Sequence, residues 1–158
     1  MKIRRYKKSD LMEVITLHIL ALKSADAYVS SGKWDDDMKN IKNVYLKNGD
    51  FIIGLLNNKI VAMGAIRKIS KTKAEIKRMR VHQKYQRKGF GQKIYDELEK
   101  RAMQLGFKKL QLDTTNKQLA AQKFDQTNGY KEFKRKYFKS IGFEMIYYEK
   151  IIKTNKHI

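Results

Sequence analysis

Residues 81–95 read Val81-His82-Gln83-Lys84-Tyr85-Gln86-Arg87-Lys88-Gly89-Phe90-Gly91-Gln92-Lys93-Ile94-Tyr95. An apolar strand ending at Val81 passes here through a basic turn into a helix, whose apolar positions Ile94, Leu98, Ala102 and Leu105 recur at helical spacing before Gly106. A strand–turn–helix junction offers backbone N–H groups and the positive end of a helix dipole to an anion. Gly89 and Gly91 carry no Cβ, so the backbone can approach a pyrophosphate closely, and Arg87, Lys88 and Lys93 add positive charge. The turn is not a Walker A loop, because no Gly-x-x-x-x-Gly-Lys-Ser/Thr is present. It is not the dinucleotide fingerprint either, since Gln92-Lys93-Ile94 follows Gly91 with no third glycine.

Periodicity on either side of this turn orders the rest of the chain. Met1 to Tyr6 alternates as a strand. Ser9-Asp10 offers an N-cap to a helix carrying Leu11, Val14, Ile15, His18, Leu22 and Ala25. Trp34-Asp35-Asp36-Asp37 opens a short second helix with Met38, Ile41 and Tyr45 on its apolar side, closed by Asn48-Gly49-Asp50. Phe51 to Leu56 and Ile60 to Ile69 are strands joined by Asn57-Asn58, two residues that tolerate positive φ, so they form an antiparallel hairpin. Ala74 to Val81 is the next strand. Beyond Gly106 come a strand from Lys109 to Asp113, a helix from Gln118 to Asn128 capped by Gly129, and strands from Tyr130 to Phe138 and Phe143 to Ile152. The order predicts an α/β fold, a mixed sheet of about seven strands flanked by four helices.

The 158 residues form one domain, 1–158, with no proline and no linker to divide it. Cysteine is absent, which removes disulfides, thiolate metal sites and cysteine nucleophiles. His18, His82 and His157 have no second ligand at metal spacing, so no metal is expected. No apolar run approaches the roughly 20 residues that span a bilayer, and no signal peptide is seen, so the expectation is a cytoplasmic protein away from membranes. Thirty-six Lys and Arg against sixteen Asp and Glu give a net +20. Arg67 to Lys93 concentrates eleven of them against Glu75 alone, a field that favours a phosphate-rich ligand. Lysine outnumbers arginine 28 to 8, and no arginine-rich recognition helix or aromatic RNA-binding stretch is present. A nucleic-acid partner is therefore the weakest reading of the charge.

Gln86-x-x-Gly89-x-Gly91, the preceding Ala74-Glu75-Ile76-Lys77-Arg78-Met79-Arg80-Val81 and the later Ala120-Ala121-x-x-Phe124-x-x-x-Asn128-Gly129-Tyr130 together resemble the GNAT N-acetyltransferases. The resemblance follows the whole chain in element order and is most specific between positions 74 and 130. It implies a splayed central sheet with acetyl-coenzyme A (acetyl-CoA) as co-substrate. Backbone groups of Met79, Arg80 and Val81 would bond the pantetheine arm. Gln86, Arg87, Lys88, Gly89, Phe90, Gly91 and Gln92 would cradle the pyrophosphate. Asn116 resembles the polar residue that meets the pantetheine or nucleotide end. It implies direct attack of an amine on the thioester, with the protein supplying orientation, a base and donors for the oxyanion.

Glu75 stands where some members carry a glutamate acting through water, and is the catalytic candidate. Its lysine and arginine neighbours lower its pKa and burial raises it. For the acid, the resemblance places a tyrosine on the helix before Asn128-Gly129-Tyr130, and this chain has Asp125 there. An aspartate with a pKa of about 4 is ionised at neutral pH and repels a thiolate. Either another group protonates the sulfur, with Tyr28, Tyr130, Tyr137 and Tyr147 as phenols at hand, or the chain is a CoA-binding sensor without chemistry. His82, next to the cleft strand, is a second possible base. Trp34 and Asp35 to Asp37 lie where members build the acceptor side, and an acidic cluster there would attract a polyamine or aminoglycoside-like cation. The acceptor is expected to be a primary amine of a small molecule or peptide. The C-terminal strands Phe143 to Ile152 are the expected pairing edge of a homodimer.

Overall fold

A computed structural model describes residues 1–25, Tyr28 and residues 33–152, with only the backbone of residues 33–35. Strands β1 (Lys2–Arg5), β2 (Asp50–Leu56), β3 (Lys59–Lys68), β4 (Lys73–Val81), β5 (Lys109–Thr115), β6 (Lys131–Phe138) and β7 (Phe143–Ile151) form one sheet in the order β1-β2-β3-β4-β5-β7-β6. Every neighbouring pair is antiparallel except β4–β5, which is parallel. Helices α1 (Leu11–Ser24), α2 (Phe90–Gln104) and α3 (Leu119–Thr127) complete the fold. The expected second helix resolves into a 3-10 stretch, Lys33–Lys39, and a π turn, Lys42–Leu46. Its apolar side is as the sequence predicts, with Met38, Ile41 and Tyr45 all buried.

Both faces of the sheet are covered where the strands are uniformly apolar. α2 lays Ile94, Tyr95, Leu98 and Ala102 on Ile52, Ile66, Ala74, Leu110, Ile146 and Tyr148, while α1 and the helical turns lay Val14, Leu17, Met38 and Tyr45 on Phe51, Ile53, Met63 and Ala65. That is why β2 and β3 read as continuous hydrophobic runs rather than alternating ones. Gly64 permits the fit, because a Cβ there would stand 2.7 Å from Leu98 Cδ1 and 2.9 Å from Ile94 Cγ2. Asn57 and Asn58 adopt φ of 51° and 63°, turning Leu56 onto Lys59 as the hairpin reading requires.

Two local expectations are corrected. Asp10 is the residue before α1 but does not cap it through its side chain. Arg4 reaches both its carboxylate oxygens at 2.8 and 2.9 Å, and the Lys7 N–H donates to it at 2.8 Å, so the carboxylate fastens β1 to the helix start. β7, expected as a free edge, lies between β5 and β6 and has both sides paired. The sheet ends at β1 and β6, and the positive charges of Lys131, Lys134, Arg135 and Lys136 along β6 discourage pairing with a second sheet there. No helix among the described residues is long and apolar enough to cross a membrane.

Candidate active site

The parallel pair β4–β5 is joined at only three rungs, Lys73–Lys109, Ala74–Leu110 and Glu75–Gln111. Beyond Glu75 the strands part, leaving one edge of β4 from Ile76 to Val81 with no strand beside it. The split opens a cavity of about 300 Å³, lined by Ile76 to Arg80 of β4, Leu112 to Thr115 of β5, Gln118, Ala121 and Asp125 near and on α3, and Phe143 and Met145 of β7.

A bulge shapes the β4 wall. Ala65 pairs with Lys77 and Met63 with Arg80, so Arg78 and Met79 share the place opposite Gly64. Arg78 takes φ +58°, a left-handed conformation costing a non-glycine residue about 1–3 kcal/mol. An ion pair with Asp37 holds it there, at 2.9 Å from Nε and 2.5 Å from a terminal nitrogen, with both side chains only 10% exposed. The Tyr45 hydroxyl donates to the same carboxylate. Burial alone would raise the Asp37 carboxyl, but Arg78 outweighs it and holds it below its ordinary value. Asp37 therefore serves the bulge and is not open to an acceptor cation, which corrects the expectation for that member of the Asp35 to Asp37 cluster, while Asp36 is exposed. The side chains of Trp34 and Asp35 lie outside the described residues, as does His157.

Past Val81 the chain makes one 3-10 turn, Gln83–Tyr85, in which His82 Nδ1 accepts from the Lys84 N–H at 3.1 Å. His82 is thus a capping residue with its ring against Tyr85, not a base in the cavity. Gln86 Nε2 donates to the Val81 carbonyl at 3.4 Å, tying the basic turn to the end of β4. Arg87 and Gly89 take φ of 63° and 80°, and α2 starts at Phe90. The backbone amides of Arg87 to Gln92 make no hydrogen bond to any described residue. Six donors at and just before the start of a 15-residue helix, beside Arg87, Lys88 and Lys93, are therefore open to a ligand, with nothing within 4 Å of where a Gly89 Cβ would stand. These residues fit a pyrophosphate.

The catalytic candidates divide. Glu75 occupies the last joined rung, 5% exposed, on the sheet face opposite α2 and outside the cavity lining. Arg67 Nε lies 2.7 Å from its Oε1, off the hydrogen-bond direction. Burial pushes the Glu75 carboxyl up against the pull of Lys77 and Arg67. Asn116 is not at the cavity: its side-chain oxygen accepts from the Glu144 N–H at 3.2 Å, which pins the β5 exit to β7. Among the phenols, Tyr130 is buried against the Tyr95 hydroxyl at 3.2 Å, Tyr137 is exposed, Tyr28 lies under Lys23, and Tyr147 packs beside Phe133; none lines the cavity.

Asp125 corrects the sequence expectation most sharply. It is 6% exposed, lines the cavity, and its carboxyl is pushed up to about 8, first by burial and then by the Asp113 charge. At neutral pH it is mostly protonated. Asp113 and Gln118 are residues that sequence reading passed over. Asp113 enters the cavity from β5. Gln118 Oε1 accepts from the Thr115 N–H and from the Thr114 and Thr115 hydroxyls at 3.1–3.2 Å, closing the strand end beside the cavity. Their only signal was the polar run Asp113-Thr114-Thr115 closing an otherwise apolar strand.

Known proteins share this fold. The fold matches an acetyltransferase of the GNAT family from Staphylococcus aureus Mu50 at TM-score 0.86 and 23% identity, covering 96% of this chain and 99% of that one. It matches the ribosomal-protein-S18-alanine N-acetyltransferase of Escherichia coli at 0.75 and 18%, covering 99% and 97%. An aminoglycoside 6′-N-acetyltransferase complexed with coenzyme A matches at 0.73 and 14%, covering 96% and 97%. No curated protein sequence matches the chain. The model of the acetyltransferase (GNAT) family matches residues 18–130, a span that holds the bulge, the basic turn and the parted strands, and the chain belongs to that family.

Proposed function

We propose that the protein transfers the acetyl group of acetyl-CoA to a primary amine of a small molecule or peptide. The observation that carries this reading is the continuity of β4: one strand supplies an unpaired edge along a cavity and ends at a turn with six unpaired amides. An extended amide-bearing chain ending in a pyrophosphate matches both. The thioester supplies an activated acetyl group. Met79 to Val81 bind the arm through the open β4 edge, and Gln86 to Gln92 bind the phosphates. Fixing both ends orients the acetyl carbon in the cavity and excludes water from it. Glu75, at the fork, accepts the ammonium proton through water, and unpaired β4 amides donate to the developing oxyanion. Asp113 in the cavity favours a cationic acceptor.

The test is release of free thiol from acetyl-CoA against a panel of amines, beside coenzyme A titrations. Gly89→Trp places a bulky side chain at φ +80° in the open space before the helix. It is expected to weaken coenzyme A binding by about tenfold or more, roughly 1.4 kcal/mol. Unchanged binding in calorimetry would remove the turn from the site.

A further inference from the structure

Asp125 is a buried acid in a protein whose other interior acids are paired: Asp10 with Arg4, Asp37 with Arg78, Asp50 with Arg5 and Arg101, and Glu75 with Arg67. Among the described residues its carboxyl makes no hydrogen bond and no ion pair. It lines, from α3, the cavity in the split between β4 and β5, where a substrate can reach it. A buried polar group left unmatched costs stability, and such groups collect where chemistry needs them.

We propose that Asp125 is the general acid that gives its carboxyl proton to the coenzyme A sulfur as the thioester bond breaks. The assignment rests on the acetyl-transfer reading above. The amine nitrogen forms the new bond to the acetyl carbon, the carbon–sulfur bond breaks with its electron pair going to sulfur, and the Asp125 proton converts that thiolate to the thiol. The nitrogen gives up one proton to Glu75 through water as the ammonium becomes the free amine and a second as the amide forms; solvent returns one of the two to the Asp125 carboxylate, and the other is the net proton released. No further reactant is consumed.

The surroundings favour a protonated acid. Asp113 faces it from β5, and the Tyr130 and Tyr148 phenols, both pushed up first by burial, stand near it as neutral groups. Asp113 disfavours ionisation of Asp125 in the resting protein. The same field speeds return of the proton after turnover.

The experiment compares the parent chain with Asp125→Asn and Asp125→Tyr in thiol-release kinetics from pH 5.5 to 10, with infrared difference spectra of the parent against Asp125→Asn. The expected results are a kcat about 10²–10⁴-fold lower in Asp125→Asn at unchanged KM for acetyl-CoA. The parent loses kcat above about pH 8. Asp125→Asn has no such limb, and Asp125→Tyr recovers activity with the limb at higher pH. Infrared shows a protonated-carboxyl carbonyl at pH 7, missing from Asp125→Asn. Parental kcat in Asp125→Asn, or an ionised Asp125 at pH 6, overturns the acid role and leaves acetyl transfer standing. A parent chain that turns over no amine overturns both.

Stability supplies a readout independent of turnover. The folded-state pKa of about 8 lies above the unfolded value of about 4, so the unfolded chain gives up this proton first. The contribution of Asp125 to stability is complete below about pH 4 and is lost as pH rises to about 8. Asp125→Asn therefore raises the melting temperature by an amount that grows from pH 5 to pH 8 and then levels off.

Discussion

Glu75→Gln lowers kcat/KM for amine acetylation by about 10²–10⁴-fold while coenzyme A binding stays at the parental level. Glutamine keeps the shape of the side chain at the last rung of the fork but cannot take up a proton. Arg67→Met sharpens the test. Arg67, 2.7 Å away, is one of the two cations holding the carboxyl down against its burial. Its removal raises the Glu75 pKa, so the base is lost at a higher pH and the acid limb of kcat/KM moves up. At a pH well above that limb Arg67→Met keeps its activity and Glu75→Gln does not. An unmoved limb in Arg67→Met, with full activity in Glu75→Gln, assigns the base elsewhere.

The second large effect is on the fold. Asp37→Ala removes one side of the ion pair with the Arg78 guanidinium, 10% exposed, and takes away the acceptor of the Tyr45 hydroxyl, whose residue is fully buried. Breaking such a pair from one side costs about 3–5 kcal/mol, against near-neutral replacement of both partners by apolar groups. For a chain of this length that lowers the melting temperature by about 6–20 °C. The left-handed φ of Arg78 then loses the support of the Asp37 ion pair, and the bulge that sets the β4 wall relaxes. Activity falls with stability in Asp37→Ala. The double variant Asp37→Leu/Arg78→Met recovers stability without activity. A single variant that melts within 2 °C of the parent on a calorimetric scan, a cost of roughly 1 kcal/mol or less, refutes the account.

What could be read in the sequence was local. Asn57-Asn58 identified its hairpin because two adjacent residues tolerate positive φ, and the basic turn identified itself because glycines and cations stood between a strand and a helix. The bulge at Arg78 was invisible. Arginine has no preference for that conformation, and the partner that stabilises it is 41 residues away with no periodicity linking the two. Asp37 was misread for the same reason: three acids opening a helix look like a dipole feature, and only the fold shows that one of them is buried against a guanidinium. β7 was read as an edge because order along the chain does not give order in a sheet. Asp125 was assigned its position correctly and its ionisation wrongly, since the pKa of about 4 belongs to a carboxyl in water, whereas this one is buried at the cavity wall near the Asp113 charge.

The three rungs between β4 and β5 make a narrow seam between two sub-sheets. Residues 109–152, carrying β5, α3, β6 and β7, are also held by Lys73 of β4 over the Phe133 ring and through α2, where Tyr95 meets Tyr130 and Glu99 meets Lys150 at 3.2 Å. A substrate whose amides bond the open edge of β4 continues that seam as a further strand would. Binding is then also mending. Amide exchange from β5, β6 and β7 proceeds through a shared partial opening in the empty protein, and it slows across all three strands when coenzyme A is added, including at residues that never touch it.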